Sequence, residues 1–271
     1  MMTAASVKNT KVSEHRLPTA LLHKTVNVTV VGCGGTGSAV AAGLPCLHQA
    51  MLASGHPHGL DVTLIDGDLI SATNCVRQPF SESEIGLHKA VVLATRINLF
   101  WGLTWKGMPC FLDEGWREET DILIGCVDTR RARGVLSRSQ AFWNCHYWLD
   151  IGNNADTGQY VLGQPDNKNN KQRVRLPTVA DLFPEIVNPK LDKKDTLPAC
   201  SAVEALHRQE PFVNQTLAYL SLAMLARLFR YAGLFHHGGF LNLSTGRLSP
   251  LPVSSTFWQR VQSQTPEVEE D

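Results

Sequence analysis

The stretch from Val26 to Gly37 constrains the fold more than any other part of the chain. Val26-Asn27-Val28-Thr29-Val30-Val31 is largely β-branched and runs directly into Gly32-Cys33-Gly34-Gly35-Thr36-Gly37, followed by the small residues Ser38-Ala39-Val40-Ala41-Ala42. A strand, a glycine turn and an alanine-rich helix start open a nucleotide-binding βαβ unit. Glycines permit a tight turn and close backbone approach, and the helix N-terminus offers unpaired N–H groups to phosphate. Gly32, Gly34, Gly35 and Gly37 are therefore candidate nucleotide-binding positions. A second apolar strand, Val62-Thr63-Leu64-Ile65, ends in Asp66, where a ribose hydroxyl would be held. Gly32 and Asp66 are separated by more than the roughly 20 residues of the common fingerprint. An extended first helix and loop is expected, with Leu44-Pro45 interrupting the helix and Cys46 to Ser54 resuming it.

The segment after Asp66 narrows the chemistry. The chain continues Gly67-Asp68-Leu69-Ile70-Ser71-Ala72-Thr73-Asn74-Cys75-Val76-Arg77-Gln78, then Ile85-Gly86-Leu87-His88-Lys89-Ala90. Asn, Arg and Gln just past the ribose acid suit a triphosphate better than a redox cofactor, because Arg forks onto phosphate oxygens. The order Gly-x-Gly-Gly-x-Gly, Asp-x-Asp, Asn-x-x-Arg-Gln and Ile-Gly-x-x-Lys resembles the ThiF/MoeB/HesA family, relatives of ubiquitin-activating enzymes. The resemblance runs from about Val26 to Asp128 and continues weakly to the C-terminal helix.

Among whole-chain properties, 43% apolar and 18% charged residues over 271 positions are ordinary for a folded soluble protein. A net charge of zero argues against a nucleic-acid footprint. No apolar run approaches membrane-spanning length; Leu217 to Ala226 is the best and is followed by Arg227 and Arg230. Seven cysteines without any Cys-x-x-Cys point to a reducing cytoplasm. They also point away from the structural zinc of many relatives.

The expected fold class is α/β: a Rossmann-like doubly wound, mostly parallel sheet with helices on both faces, a long crossover loop, C-terminal helices and a β-hairpin. Residues 1–25 read as an arm, flexible or docked on the surface. Residues 26–163 read as the nucleotide-binding adenylation domain, 164–197 as the crossover loop, 198–260 as helices and hairpin completing that domain, and 261–271 as an acidic tail. His48, His56 and His58 straddle a Gly/Pro-rich turn and read as solvated. Ser81-Glu82-Ser83-Glu84 is a helix entry before a helix over Lys89–Trp101. Strands are expected at Met108–Leu112, Asp121–Asp128, Tyr147–Gly152 and Gly158–Gly163. The tract Pro165 to Gln172 is polar with little to bury, which suits a partly mobile loop. Pro211 suits the first turn of a helix with Phe212, Val213, Leu217, Leu220, Met224, Leu225 and Leu228 on its apolar face. A hairpin is expected around Thr245-Gly246.

Position by position, the resemblance implies adenylation with ATP and Mg²⁺. Asp66 would hold the ribose, with Asp68 beside it; Asn74, Arg77 and Lys89 would grip the triphosphate, and Gln78 would support that loop. Asp128 would hold Mg²⁺, since a hard cation needs a carboxylate beside phosphates; capping of the next helix is its other reading. Thr129-Arg130-Arg131-Ala132-Arg133 resembles the family's Asp-Asn-x-x-x-Arg, with Thr129 in place of Asn. Asp150 is a secondary candidate at a strand end. Arg16 is the only Arg of the arm, where a partner subunit's Arg often reaches ATP in the family, though the usual string around it is missing. Leu197-Pro198-Ala199-Cys200-Ser201 resembles the thioester cysteine of activating enzymes, and a thiol at a helix N-terminus carries more thiolate. Cys33 and Cys126 read as packing residues.

The implied acyl donor is the C-terminal glycine carboxylate of a ubiquitin-like or sulfur-carrier protein. The sequence around Leu176-Pro177-Thr178-Val179, Pro198-Ala199-Cys200-Ser201 and Phe212-Val213-Asn214 resembles a ThiF-like group of bacterial PRTRC gene clusters. That group is associated with a ubiquitin-like and a conjugating-enzyme-like protein. A homodimer is expected. A nicotinamide-dependent oxidoreductase explains the glycines and Asp66 but leaves Asn74, Arg77, Gln78 and Lys89 idle. A non-catalytic ThiF-like adaptor is favoured only by Thr129 and the missing N-terminal Arg string.

Overall fold

The computed structural model describes residues 11–116, 118–172, 174–194 and 210–264. Among these, ten strands and seven α-helices succeed one another. A short β1 (His15–Arg16) precedes β2 (Val26–Val31), α1 (Gly35–Ala53) and β3 (Leu60–Ile65). Next come α2 (Lys89–Trp101), β4 (Lys106–Met108), β5 (Ile122–Gly125), α3 (Arg130–Arg138) and α4 (Gln140–Asn144). They are followed by β6 (Tyr147–Asn153), β7 (Thr157–Gly163) and α5 (Val179–Leu182). The chain closes with α6 (Val213–Tyr231), β8 (Gly233–Leu234), β9 (His236–Asn242), β10 (Arg247–Pro252) and α7 (Ser255–Gln264).

Eight strands form one sheet in the order β10-β9-β7-β6-β5-β2-β3-β4. The run from β6 through β5, β2 and β3 to β4 is parallel. The C-terminal hairpin extends it antiparallel, through β9 on β7 and β7 on β6. The expected mostly parallel α/β class is what is observed. β2 and β5 are buried along their length apart from the half-buried Asn27, because both their faces are covered. Right-handed crossovers place α1 and α2 on one face and α3 on the other, and α6 lies against α1. Strand order reverses between β2 and β5. The carboxyl ends of the strands open a crevice there, where doubly wound sheets bind ligands.

Several local expectations are corrected. Helix α1 runs unbroken through Pro45, which is fully packed. One missing backbone hydrogen bond is outweighed by burial against α6, where Gly43 sits so close to Leu222 and Tyr219 that a Cβ would meet them. His48 and His56 are structural rather than solvated. His48 is buried, its Nδ1 lies 3.0 Å from the Leu60 amide and its ring meets Trp105 edge-on; His56 reaches the Leu21 carbonyl at 2.9 Å. Only His58 of the three is exposed. The strand expected at Met108–Leu112 lies earlier, at Lys106–Met108, and that at Asp121–Asp128 is confined to Ile122–Gly125.

The polar tract after Gly163 is held in place. Gln164, Asn167 and Asn170 are buried, and Asn167 donates to the Cys145 carbonyl at 2.8 Å while Asn170 donates to that of Pro165 at 3.0 Å. Amide side chains, not apolar ones, secure this loop by satisfying backbone carbonyls. Phe212 is exposed at a left-handed backbone position just before α6 and leaves the apolar face to Val213, Leu217, Met224, Leu225 and Leu228. The described part of the arm, residues 11–25, docks on the surface: β1 pairs with β8, and Leu17 and Leu21 are buried.

Candidate functional site

Among the described residues a cleft of about 1110 Å³ opens at the strand reversal. The glycine turn forms one wall. Gly32 has φ +89°, and a Cβ there would lie 2.7 Å from the Cys126 carbonyl oxygen. Gly37 leaves no room at all, because its Cβ would sit 1.7 Å from the Gly32 oxygen. The turn is therefore wedged against β5 and its own helix, which aims the first N–H groups of α1 into the cleft.

Asp66 ends β3 opposite that turn. Its Oδ2 accepts from the Cys33 amide at 2.5 Å and its Oδ1 from the Asp68 amide at 2.8 Å. Burial pushes its carboxyl above the usual range; the two amides and Lys89 pull the other way. Each oxygen keeps a lone pair that a ribose hydroxyl can use. Lys89, the first residue of α2, is 6% exposed and lies 2.9 Å from Asp68 Oδ2. The loop between them is shaped by Asn74, whose Oδ1 accepts from the Ser71 amide and whose carbonyl accepts from the Gln78 amide. Arg77 and Gln78 line the cleft beyond it. Gln78 Oε1 is buried and has no partner among the described residues.

Asp128 lies past β5, exposed in the cleft. It does not cap α3: Thr129 does, accepting from the Ala132 amide at 3.1 Å. The Asp192 carboxylate also accepts from the Arg130 and Arg131 amides at 2.9 and 2.8 Å. The Asp128 carboxylate is thus left for another charge. A lone hard oxygen donor beside a phosphate-sized space fits Mg²⁺, which keeps several waters and takes one or two carboxylates. No cluster of three potential ligands exists among the described residues, so phosphate and water would supply the other oxygens.

Gly32, Gly34, Gly35, Asp66, Asp68, Asn74, Arg77, Gln78, Lys89 and Asp128 line this one cleft, and Gly37 packs behind it. Asp150 is not on the cleft surface. It is fully buried beneath it and accepts from Arg133 Nε at 2.9 Å. Burial holds its carboxyl above the usual range, against the pull of Arg133. Arg16 pairs with Glu14 away from the cleft. Cys200 lies outside the described residues. Cys33 and Cys126 carry thiols pushed up by burial, and the six described cysteines are all free. No helix of the described chain is long and apolar enough to cross a membrane.

Two groups at the site escape sequence reasoning. Asn214, at the start of α6, accepts from Thr36 Oγ1 at 2.7 Å and crowds Gly35. Phe111 lies over Gly67, so closely that a Cβ there would meet the ring at 2.5 Å. Neither has a local signal. Only the chain's return after nearly the whole domain brings Asn214 to the glycine turn.

The fold is shared with solved structures. Escherichia coli MccB with ATP superimposes with a TM-score of 0.53 at 19% identity, over 85% of this chain and 64% of that one. MccB with MccA gives 0.54 at 18%, over 85% and 64%; selenomethionine PaaA gives 0.52 at 14%, over 85% and 64%. The chain thus spans 64% of the length of each of these proteins. No curated protein sequence matches it. The ThiF family model matches residues 19–206, well over half of the 271 positions and the whole of the cleft's glycine, Asp66, Lys89 and Asp128 segments, and the chain belongs to the ThiF family.

Proposed function

We propose that the chain uses ATP and Mg²⁺ to adenylate a carboxylate, the C-terminal one of a ubiquitin-like or sulfur-carrier protein. The observation that supports this best is the meeting of Asp66, Arg77, Lys89 and Asp128, from four separate segments, around one glycine turn. MccB, which shares the fold, has been solved with ATP and with MccA. Asp66 accepts from the ribose, Arg77 and Lys89 neutralise phosphate oxygens, and the α1 N-terminus faces them. Mg²⁺ at Asp128 would screen the phosphate charge. A carboxylate oxygen of the donor bonds to the α-phosphorus while the bond to the bridging oxygen breaks, and pyrophosphate leaves with that electron pair. No side chain forms a bond in this step; positioning and charge stabilisation do the work. A second step comes after it in this reading. The Cys200 thiolate attacks the acyl adenylate, AMP leaves, and the thioester passes to a conjugating-enzyme-like partner of the kind associated with the PRTRC group.

Pyrophosphate exchange into ATP, driven by a candidate carrier, tests the first step. Asp128→Ala should lower exchange by at least about 100-fold, as loss of a main charge-stabilising group does, with the unfolding midpoint little changed because Asp128 is exposed. Full exchange in that variant would remove Asp128 from the chemistry. Cys200→Ala should keep exchange and lose a reducible, carrier-sized adduct on a non-reducing gel; an intact adduct would place the nucleophile elsewhere.

A further inference from the structure

The glycine turn has little of its own to hold it still. Four of the six residues from Gly32 to Gly37 are glycine, the least restrained residue in a chain, and no side chain caps the α1 N-terminus at Gly34. Its rigidity has to come from outside. Gly32 is wedged on the Cys126 carbonyl, and the Cys33 amide is held by Asp66. A third support comes from α6. Thr36, itself buried, donates its hydroxyl proton to Asn214 Oδ1 at 2.7 Å. With that oxygen turned to Thr36, the other end of the carboxamide closes on Gly35, where a Cβ would lie 2.6 Å from Nδ2. The start of α6 is aimed at this contact. Helices α1 and α6 run in the same direction: Thr36 meets Asn214, Gly43 meets Leu222, and the His56 ring just past α1 meets Phe229 edge-on. The chain enters α6 through Phe212 at φ +69°, a left-handed value that a residue with a Cβ avoids. The Glu210 amide ties that entry to the Ala155 carbonyl at 2.7 Å. Strain of this kind persists only where the surroundings impose it. Its result here is that the second residue of α6 reaches the second residue of α1.

We propose that Asn214 and Thr36 form a brace between α6 and α1 that holds the glycine turn rigid and so positions a phosphate ligand. Both are positioning residues, acting through the backbone of the turn. The braced turn presents its N–H groups without having to order itself when phosphate arrives. Such a cradle binds more tightly, because the entropy of ordering is lost on folding and not on binding. Apolar contact would press the turn against α6 without fixing where it sits along the helix; a directional hydrogen bond does both. The proposal takes from the adenylation reading only that this turn cradles phosphate, and the stiffness is a property of the free protein.

Three variants test it. Thr36→Val keeps the shape of the side chain and removes its hydroxyl, Asn214→Ala removes both contacts, and Thr36→Ser keeps the hydroxyl. Hydrogen–deuterium exchange of the free protein is followed by mass spectrometry for a peptide spanning Gly32–Gly37 and for one spanning α2. In Thr36→Val and Asn214→Ala the turn peptide should exchange about tenfold faster, the gain in local opening expected when one buried hydrogen bond is lost. The α2 peptide should not change, and Thr36→Ser should match the wild type in both. Calorimetry should show ATP–Mg²⁺ bound about tenfold more weakly by the two loosened variants and normally by Thr36→Ser. Four results would overturn the proposal: no faster exchange of the turn, equal acceleration in α2, failure of Thr36→Ser to match the wild type, or undiminished ATP affinity in the loosened variants. The α2 peptide and Thr36→Ser separate a loosened turn from a loosened protein. A wild type that binds no ATP while its turn loosens as expected in the variants sinks the adenylation reading and leaves the brace standing; ATP binding with no loosening does the reverse.

Discussion

At the residue scale, the site depends on a few positions where no other side chain fits. Gly37 is the clearest: the Gly32 oxygen occupies the place of its Cβ. Gly37→Ala must push the turn away from α1, which should cost roughly 1–3 kcal/mol of stability, as overpacking of a tight core does. It should also weaken ATP binding at least about tenfold, because the N–H groups of the turn lose their aim. Urea titration and calorimetry check the two effects, and a variant that binds ATP normally would mean the turn is not the phosphate cradle. Asp66 and Lys89 show how much of such a site a sequence can display. Their identity and spacing are plain in the chain, yet the Asp68 partner of Lys89 and the two amides on Asp66 appear only when the loop is folded. Arg133 and Gln159 carry no warning of their meeting, because α3 and β7 bring them together over Gly152 of β6.

At the element scale, two histidines tie outlying elements to the sheet. His15 on β1 lies 2.7 Å from the Tyr147 hydroxyl. His237 on β9 accepts from Trp258 Nε1 at 2.9 Å; since indole can only donate, the proton of that imidazole sits on Nδ1 and is given to the Leu162 carbonyl at 2.7 Å. Burial lowers both histidines to about 4. Their neutral forms are the folded ones, so between about pH 6.5 and pH 4 the unfolded chain binds more protons and stability falls with falling pH. Above that window the contribution is complete. Each histidine contributes at most roughly 3 kcal/mol of this dependence. Urea midpoints near pH 7.5 and pH 5 should differ by several tenths molar or more, and His237→Gln should shrink the difference. An unchanged midpoint would show that these imidazoles charge freely in the fold. Helix α1 makes the complementary point: local propensity puts a break at Pro45, and packing against α6 overrides it.

At the scale of the whole molecule, the reversal of strand order between β2 and β5 puts the ends of four strands around one cleft. A ligand spanning them is bound by the folded state and not by the unfolded one. ATP with Mg²⁺ at about 100 times its dissociation constant should therefore stabilise the protein by about 2.7 kcal/mol, raising the melting temperature by roughly 5–10 °C for a chain of this size. NAD should do much less, since it leaves the Arg77 and Lys89 phosphate positions without a triphosphate. Strong stabilisation by NAD and none by ATP–Mg²⁺ would reject the adenylation reading in favour of an oxidoreductase.

The amino-acid order alone determined the βαβ opening, the class of sheet, the extent of α2, and which residues from Gly32 to Asp128 line the cleft. These are written in local patterns: alternation or runs of apolar residues, glycines where a Cβ cannot go, an acid at a strand end. The docked arm, the unbroken α1, the asparagine-pinned loop and the sheet-extending hairpin were decided by tertiary structure. So were Asn214 on the glycine turn and the meeting of Arg133 with Gln159. Each of these joins residues distant in the chain, and its energy comes from burial or from satisfying a polar group that has no partner nearby in sequence.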